Sequence, residues 1–525
     1  MNAARKLALG SASRTVSLLV QVVVGMWLMP FIIHTLGDRI YGYWTLVAAF
    51  LGYYGLLDLG IVTAVTYRVA RSIGERNKED INQTVSTAFV MFGLIGLLLL
   101  AITVVAAFVS KDIVKNPTEA ALFAQVLLIM GIGFATGFPC RAFLGALAAE
   151  LRFDLISGLG ILGVLVRAAL IVILLKAGHG IVALAMVTMV VDLCQNLANY
   201  IFLKIVRPAF RLSIKTATRK IMKDLFGYSV FTFIAKIADQ IRFNMDVFII
   251  GAFLGIGAVT HYAIAKGLTG YFRNFIISLI GGIGPMFSQQ LGRQDEDAMR
   301  RTFVAGTKLS SIFAISAGLC LVIYGKPFIS AWMGTDYIDA YVPLSILIVG
   351  AIAWLAQQPS VGFLFGIARH KFLAYSNSVE ALLNLSLSLL LVSRYKMLGV
   401  AIGYAIPMII IRLLVQPFYV CKCLKMHYAD YYYNVLGKDF AKISIVFILS
   451  WWLLSRHFIR VGIIGLVAPI ALTLILTLPI SFFWVLNSEQ RRWLFSHLGI
   501  IGLRNRGKLE EKIKAVGPEE THHPL

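Results

Sequence analysis

The sequence predicts an all-α integral membrane protein of about 14 transmembrane helices, built as two parallel six-helix repeats, or lobes, plus two extra C-terminal helices. Three observations predict it. The chain of 525 residues is 59% hydrophobic and only 14% charged, with a mean hydropathy of +0.81, and apolar runs long enough to cross a bilayer recur along its length. When Lys and Arg are assigned to alternate loops, those on the N-terminal side hold about 30 and the opposite loops about 9. Finally, the sequence repeats at an offset of 218 residues: Leu36-Gly37 recurs as Leu254-Gly255, Gly52-Tyr53-Tyr54 as Gly270-Tyr271-Phe272, and Gly74 as Gly292. Further on, at an offset near 220, Pro139, Phe143 and Leu144 recur as Pro359, Phe363 and Leu364. Six spans separate the copies, so both halves point the same way, and halves so related enclose a substrate path.

Taken in order, the apolar segments lie near 11–36, 40–67, 84–110, 117–147, 154–176 and 179–203. A second set follows near 225–254, 257–289, 302–325, 338–368, 372–393 and 397–421, and the extra pair near 441–459 and 461–487. The expected division is therefore a first lobe over 1–206, a basic linker over 207–224, a second lobe over 225–425, an interfacial loop over 426–440, the two additional helices over 441–487 and a tail over 488–525. The linker could contact anionic lipid or be an ordinary positive-inside loop. The Tyr-rich loop suits the membrane interface, and the end of the tail has the composition of a disordered segment. The charge asymmetry puts both termini in the cytoplasm. Lys6 to Thr35 runs into a full span without a small-residue cleavage site, so no cleaved leader is expected.

The net charge of +22 would raise nucleic acid as a partner in a soluble protein, but here it resides in loops on one side and no nucleic-acid partner is expected. The five cysteines lie inside or at the ends of apolar runs without paired spacing or a neighbouring His set. They read as packing residues, and neither a disulfide framework, a metal site nor a cofactor is expected. Nothing resembles a catalytic triad or a P-loop, so the chain is not expected to be an enzyme.

The informative stretch is Tyr228–Gly255, a span that carries Lys236, Asp239, Gln240, Arg242, Asn244 and Asp246. At about 100° per residue, Lys236, Asp239, Arg242 and Asp246 fall within roughly 120° of one another. Facing lipid, four such charges would cost about 10 kcal/mol or more, so this face must look onto protein or water. One reading is a self-neutralising ladder at i,i+3 and i,i+4 spacing; the other is a cavity wall.

LGDRIYGYW (Leu36–Trp44), GLLDLGI (Gly55–Ile61) and the pattern Asp246-x4-Gly251-x3-Gly255 resemble the polysaccharide-transport branch of the MOP exporters, to which the Wzx-type O-antigen and exopolysaccharide flippases belong. The resemblance covers about the first 425 residues. It implies movement of an undecaprenyl-pyrophosphate-linked oligosaccharide from the cytoplasmic to the periplasmic leaflet of the bacterial inner membrane. The implied partners are that lipid-linked cargo, membrane lipids, and a polysaccharide polymerase with chain-length proteins. Energy would come from an ion gradient or the membrane potential. Two relatives within the superfamily fit less well: MATE drug exporters rely on an acidic residue in the first span, absent here between Arg14 and Asp38, and lipid II flippases concentrate arginines in the first spans, where only Arg14 precedes Arg39. A non-transporting scaffold for polysaccharide enzymes is the alternative of another class, and it requires every intramembrane charge to be paired.

A diphosphate needs fixed cations at membrane depth. The candidates are Arg14 and Gln21 on span one, Arg141 on span four, Arg167 on span five, Arg242 on span seven, and Lys266 with Arg273 on span eight. Against each stands a plainer role: Arg14 and Arg273 could snorkel, Arg141 could pair with Glu150, and Arg167 could pair with Asp192. Lys266 is isolated on its span and reads as a cavity residue. Arg412, with Gln416 one turn on, could line a cavity or snorkel. Asp58, Asp192, Asp239, Asp246 and Glu380 could bind a coupling ion or serve as counter-ions. Asp58 sits among glycines and could instead mark a packing hinge, and His261 reads as interfacial.

Overall fold

The computed structural model describes residues 3–113, 116–227, 230–280, 283–367, 369–455 and 463–497, and the side chains of most of them. All of the long elements among them are helices. In chain order these are α1 (Ala3–Leu36), α2 (Asp38–Tyr54), α3 (Ile61–Gly74), α4 (Lys78–Ile113), α5 (Pro117–Gly137), α6 (Arg141–Ala149), α7 (Phe153–Lys176) and α8 (Ile181–Val206). After a linker come α9 (Arg219–Gly227), α10 (Val230–Leu254), α11 (Ile256–Ile280), α12 (Gly284–Gly292), α13 (Glu296–Trp332), α14 (Tyr341–Ala356), α15 (Gln358–Gly366) and α16 (His370–Ile410). The chain continues through α17 (Gln416–Leu424), α18 (Tyr428–Tyr431), α19 (Lys438–Ser455), α20 (Ile463–Val485) and α21 (Ser488–His497).

Ten helical segments among the described residues are long and apolar enough to cross a membrane. Their outward faces are greasy: Leu97, Phe108, Leu382 and Leu390 are all more than half exposed, which only a lipid environment tolerates on this scale. The protein is thus a multi-pass membrane protein. α10 and α11, each of 25 residues and about 37 Å long, are also long enough to reach across; α10 carries the charged stretch, and α11 carries Lys266 and Arg273.

Several apolar runs that read as single spans are broken helices. Between α2 and α3 the chain makes a short 3-10 turn, Gly55–Asp58, followed by left-handed Leu59 and Gly60. Pro139 sits in the 3-10 turn Phe138–Cys140 that divides α5 from α6, and Pro359 lies in the first turn of α15 after the break at Gln357. α16, by contrast, is two arms where two spans were expected, 372–393 and 397–421; they meet at Lys396, whose φ of 52° and ψ of −134° end one helix and start another. The second arm folds back along the first because Gly399 and Gly403 carry no Cβ; one added at Gly403 would lie 2.4 Å from the Ser388 hydroxyl and 2.6 Å from its backbone nitrogen.

Local geometry repeats along with the sequence. The turn joining α3 to α4 and the turn joining α12 to α13 share the same bonds at 218 residues' remove. Arg76 and Gln294 both take left-handed φ, 55° and 56°, and their N–H groups donate to Ile73 and Leu291 at 3.1 and 3.0 Å. Asn77 and Asp295 then cap the next helix, accepting from the Asp80 and Ala298 N–H groups at 3.0 and 2.8 Å. Gly37 with Gly255, and Gly178 with Lys396, repeat positive φ at the same interval. The last pair escaped the sequence comparison because a lysine replaces the glycine.

The chain packs as two compact units. The first comprises residues 1–278, 325–351 and 370–411; its core from the N-terminal part runs through Val47, Leu51, Ile61, Val85, Phe92, Phe138, Phe143 and Leu184. The linker is tied to this unit: Ser213 and Thr218 N–H groups donate to Ser86 and Thr87 hydroxyls at 3.1 and 3.2 Å, and Asp224 accepts from Arg68 at 3.0 Å. The second unit comprises residues 279–324, 352–369 and 412–525. Within it α19 and α20 dock beside α13 through Cys320, Tyr324 and Phe447, the bond between the Tyr324 and Thr473 hydroxyls at 3.1 Å, and the buried pair Lys308–Asp439 at 3.1 Å.

Gly403→Leu should drive the two arms of α16 apart at a cost of about 2–3 kcal/mol. A clear fall in the thermal unfolding temperature of the purified protein is expected, against little change for Ala at a lipid-facing position such as Leu390.

Candidate functional site

The site is built where α10 and α16 of the first unit pack along their lengths, with α11 beside them. Each helix brings one polar stripe. On α10 the stripe is Asp239, Arg242 and Asp246, three and four residues apart. On α16 it is Asn377, Glu380, Asn384 and Ser388, while Val379, Leu382, Leu383 and Leu390 of the same helix point outward. The two stripes can only be buried against each other, because either alone would leave charge in hydrocarbon.

Arg242 is the centre. Its Nη1 donates to Glu380 Oε1 at 3.0 Å and its Nη2 to Asp239 Oδ1 at 2.8 Å. The side chains of Arg242 and Glu380 are 2% and 1% exposed, whereas that of Asp239 is 45% exposed. Asn377 donates to Asp239 at 3.2 Å and Asn384 to the Arg242 carbonyl at 3.3 Å, so α16 holds both side chain and backbone of the arginine's turn. Neighbouring Asp246 accepts from Lys266 Nζ on α11 at 2.7 Å and from the Val247 N–H at 2.9 Å. Arg273, two turns along α11, lies with its guanidinium 4.1 Å from the centre of the Phe243 ring, and the Arg242 guanidinium lies 4.2 Å from the same ring. Tyr404, nearly buried, closes the cluster against Phe243.

Three cations and three carboxylates thus occupy one region inside the spans. Such a region resists ion loss, since removing one charge leaves its partner stranded in a low dielectric. It also offers exchange: Asp239, Lys266 and Arg273 are the partly exposed members, and an incoming phosphate can take a guanidinium or ammonium that a carboxylate now holds.

The other expected residues sit elsewhere, all but Arg412 in the first unit. Arg167 donates to Asp192 across the α7–α8 contact. Arg14 stacks over Phe153 at 3.7 Å, and Gln21 donates to Ser17 at 3.1 Å on its own helix. Arg141 does not pair with Glu150, as its position had suggested. Glu150 instead accepts from Arg207 at 2.7 Å, and Arg141 lies over Phe138 and Phe134 with Asp58 as its electrostatic neighbour. Asp58 itself accepts weakly from the Val62 N–H at 3.4 Å in the broken segment after α2. Arg412, in the second unit, bonds to Gln416 and is fully buried. Lys236 falls where side chains are not described.

Two further expectations need correction. Lys266 is not isolated, because α11 faces Asp246 on α10. The four-residue ladder on α10 is only partly local: Arg242 meets Asp239 three residues back, but Glu380 and Lys266 come from other helices. Asn377, Asn384 and Tyr404 were missed. The spacing of Asn377, Glu380, Asn384 and Ser388, three or four residues apart in an otherwise apolar span, is the pattern that could have found the first two.

Glu380→Gln leaves Arg242 buried without its inner partner and should destabilise the protein by about 3–5 kcal/mol. The double variant Arg242→Met/Glu380→Met should recover most of that loss. Thermal unfolding of the detergent-purified protein checks both, and equal stability of Glu380→Gln and wild type would contradict the assignment.

Comparison with known proteins places this geometry in a family. A family model described as "Polysaccharide biosynthesis protein" matches residues 41–342. The chain is 22% identical over 426 residues to "Uncharacterized membrane protein EpsK" of Bacillus subtilis, covering 79% of this chain and 83% of that one. It is 21% identical over 414 residues to the "Putative O-antigen transporter" of Shigella flexneri, covering 75% and 93%. Among solved structures it is similar to "Lipid II flippase MurJ, inward closed conformation", with a TM-score of 0.68 at 14% identity, covering 91% of this chain and 98% of that one. That last likeness speaks for the all-helical transporter fold. With more than half of its length matched, the chain belongs to the family of polysaccharide biosynthesis proteins.

Proposed function

We propose that this protein is a flippase that moves an undecaprenyl-pyrophosphate-linked oligosaccharide, an O-antigen or exopolysaccharide repeat unit, across the bacterial inner membrane by alternating access. The observation that carries the reading is the cluster on α10, α11 and α16. It holds Arg242, Lys266 and Arg273 at membrane depth in a family whose named relative is a transporter. In this account the cations wait in the company of carboxylates. A diphosphate arriving at the cluster displaces the exposed Asp239 from Arg242 and competes with Asp246 for Lys266, while buried Glu380 and Asn384 keep Arg242 aimed. The released carboxylates can then take up a proton or a cation, which links cargo movement to an ion gradient. Arg14, Gln21, Arg141, Arg167 and the acids Asp58 and Asp192 form the candidate lining contributed by the first repeat.

About fourteen spans, two six-helix lobes and cytoplasmic termini are the layout this function calls for. The basic loops support that orientation. No bond is made or broken in the cycle, and the reading calls for no cofactor. A polymerase and chain-length proteins are the natural recipients of the cargo. Lipid II and drug-like cations remain the alternative cargoes within the same fold.

The scaffold reading has one observation on its side: Arg167, Arg242 and Lys266 are all ion-paired. Transport and scaffolding part ways in the cell. Arg242→Ala and Lys266→Ala, produced at wild-type level, should each cause lipid-linked glycan to accumulate in the cytoplasmic leaflet, with export reduced about tenfold or more. Unchanged export in both variants would refute the transport roles assigned to these residues.

A further inference from the structure

At the end of α1 remote from its N-terminus, one histidine stands between two carboxylates drawn from different elements. His261, on the first turns of α11, has Nδ1 2.7 Å from Asp339 Oδ1 and Nε2 3.4 Å from Asp38 Oδ2. Asp38 begins α2, and Asp339 lies in the 3-10 helix Thr335–Ala340 between α13 and α14. Tyr337 of that short helix donates its hydroxyl to Asp38 Oδ1 at 2.6 Å and places its ring 5.0 Å from the imidazole. Thr260 donates to the Asp38 carbonyl at 2.5 Å. Two bonds flank the cluster: His34 Nε2 contacts the Met333 carbonyl at 2.8 Å, and Trp332 Nε1–H donates to the Met26 carbonyl at 2.6 Å. The α1–α2 corner is therefore fastened both to α11 and to the turn between α13 and α14.

Both carboxylates hold the imidazole only while it is protonated, when both ring nitrogens donate and the ring is positive; a neutral ring keeps a single N–H and leaves the second carboxylate facing a bare nitrogen. The groups facing His261 are Asp38 from α2 and Asp339 and Tyr337 from the 3-10 helix. Asp336 adds another negative charge on that helix, and His34 from α1 lies edge-on to Tyr337 with ring centres 6.0 Å apart. The side chains of His261, Asp38 and Asp339 are 20%, 39% and 50% exposed, so protons reach them and each pair alone is weak.

We propose that His261, Asp38 and Asp339 form a proton-sensitive clasp that fastens the α1–α2 corner to α11 and to the turn between α13 and α14, and that loss of the imidazole proton releases it. The clasp goes beyond the assignment of cargo: it is a property of the empty protein, and it would stand even if the transported molecule were different. Its sign follows from the chemistry. The protonated ring is held by two acids, so the fastening is complete at acid pH and is lost as the pH rises through the titration of the ring.

The test uses full-length protein in lipid nanodiscs, with spin labels on Thr35→Cys and Val342→Cys after replacement of the native cysteines. Thr35 and Val342 are both exposed and flank the clasp. Between about pH 5.5 and about pH 8.5 the longer-distance population should grow at least about twofold in otherwise wild-type protein. His261→Lys carries a fixed charge and should keep the short distance at both pH values. His261→Gln should show the long distance at both. A distribution in His261-containing protein that ignores pH, or that lengthens on acidification, overturns the proposal, as does an identical response of the Lys and Gln variants. The unsubstituted histidine decides the matter by itself should either variant fail to fold.

Discussion

The buried contact between Arg242 and Glu380 is the constraint from which the first unit's helix packing follows. A guanidinium and a carboxylate, 2% and 1% exposed, cannot be left inside a bilayer-spanning bundle unless each finds the other. That requirement fixes the register of α10 against α16, because a slip of one residue on either helix would turn a charge toward lipid. Asn384, donating to the backbone beside Arg242, and Asn377, donating to Asp239, add directional bonds that an apolar contact would lack. The fold-back of α16 at Lys396, permitted by Gly399 and Gly403, then brings Tyr404 against Phe243 and closes the cluster from the other side.

The same pairing would let the proposed anion site exist without leaving bare cations in the membrane interior. Exposure is graded across the cluster: Glu380 is sealed, Asp246 nearly so, and Asp239 is half open. The inner acids pair with the cations out of reach of solvent, and in the proposed transport cycle the outer acid is the one a phosphate would replace. Pairing is thus compatible with transport as well as with a purely structural role, and what separates the two is whether the outer partner exchanges. The proposed clasp around His261 is a second, separate set of charges, joining the α1–α2 corner to α11 and the turn before α14.

Hydropathy, loop charge and the 218-residue repeat revealed the all-helical membrane class, and the repeat proved real down to the hydrogen bonds of the turns at Arg76 and Gln294. These features are local, so a sequence carries them directly. The breaks at Gly55–Gly60 and after Gly137 were harder to see, because apolar residues continue through them and hydropathy averages across a turn. Within the site, Glu380 stood among five acids read as coupling sites or counter-ions, and helical periodicity put Asp239, Arg242 and Asp246 on one face with Lys236. It could not say that Glu380 meets Arg242 from 138 residues away or that Lys266 meets Asp246, since a helical wheel gives a face and never a neighbour. The same limit misled the reading of Arg141, whose nearby Glu150 is taken by Arg207. His261 read as interfacial for the same reason: its partners, Asp38 and Asp339, belong to distant segments.

The account turns on whether the α10–α11–α16 cluster receives a phosphate-bearing lipid, and binding of undecaprenyl pyrophosphate to the purified full-length protein in nanodiscs tests that most directly. Compared with wild type, Arg242→Met/Glu380→Met keeps the cluster's overall charge balance but removes the aimed guanidinium. The account predicts that this variant, folded and of similar thermal stability, binds the lipid at least about tenfold more weakly. Wild-type affinity in that variant would contradict it.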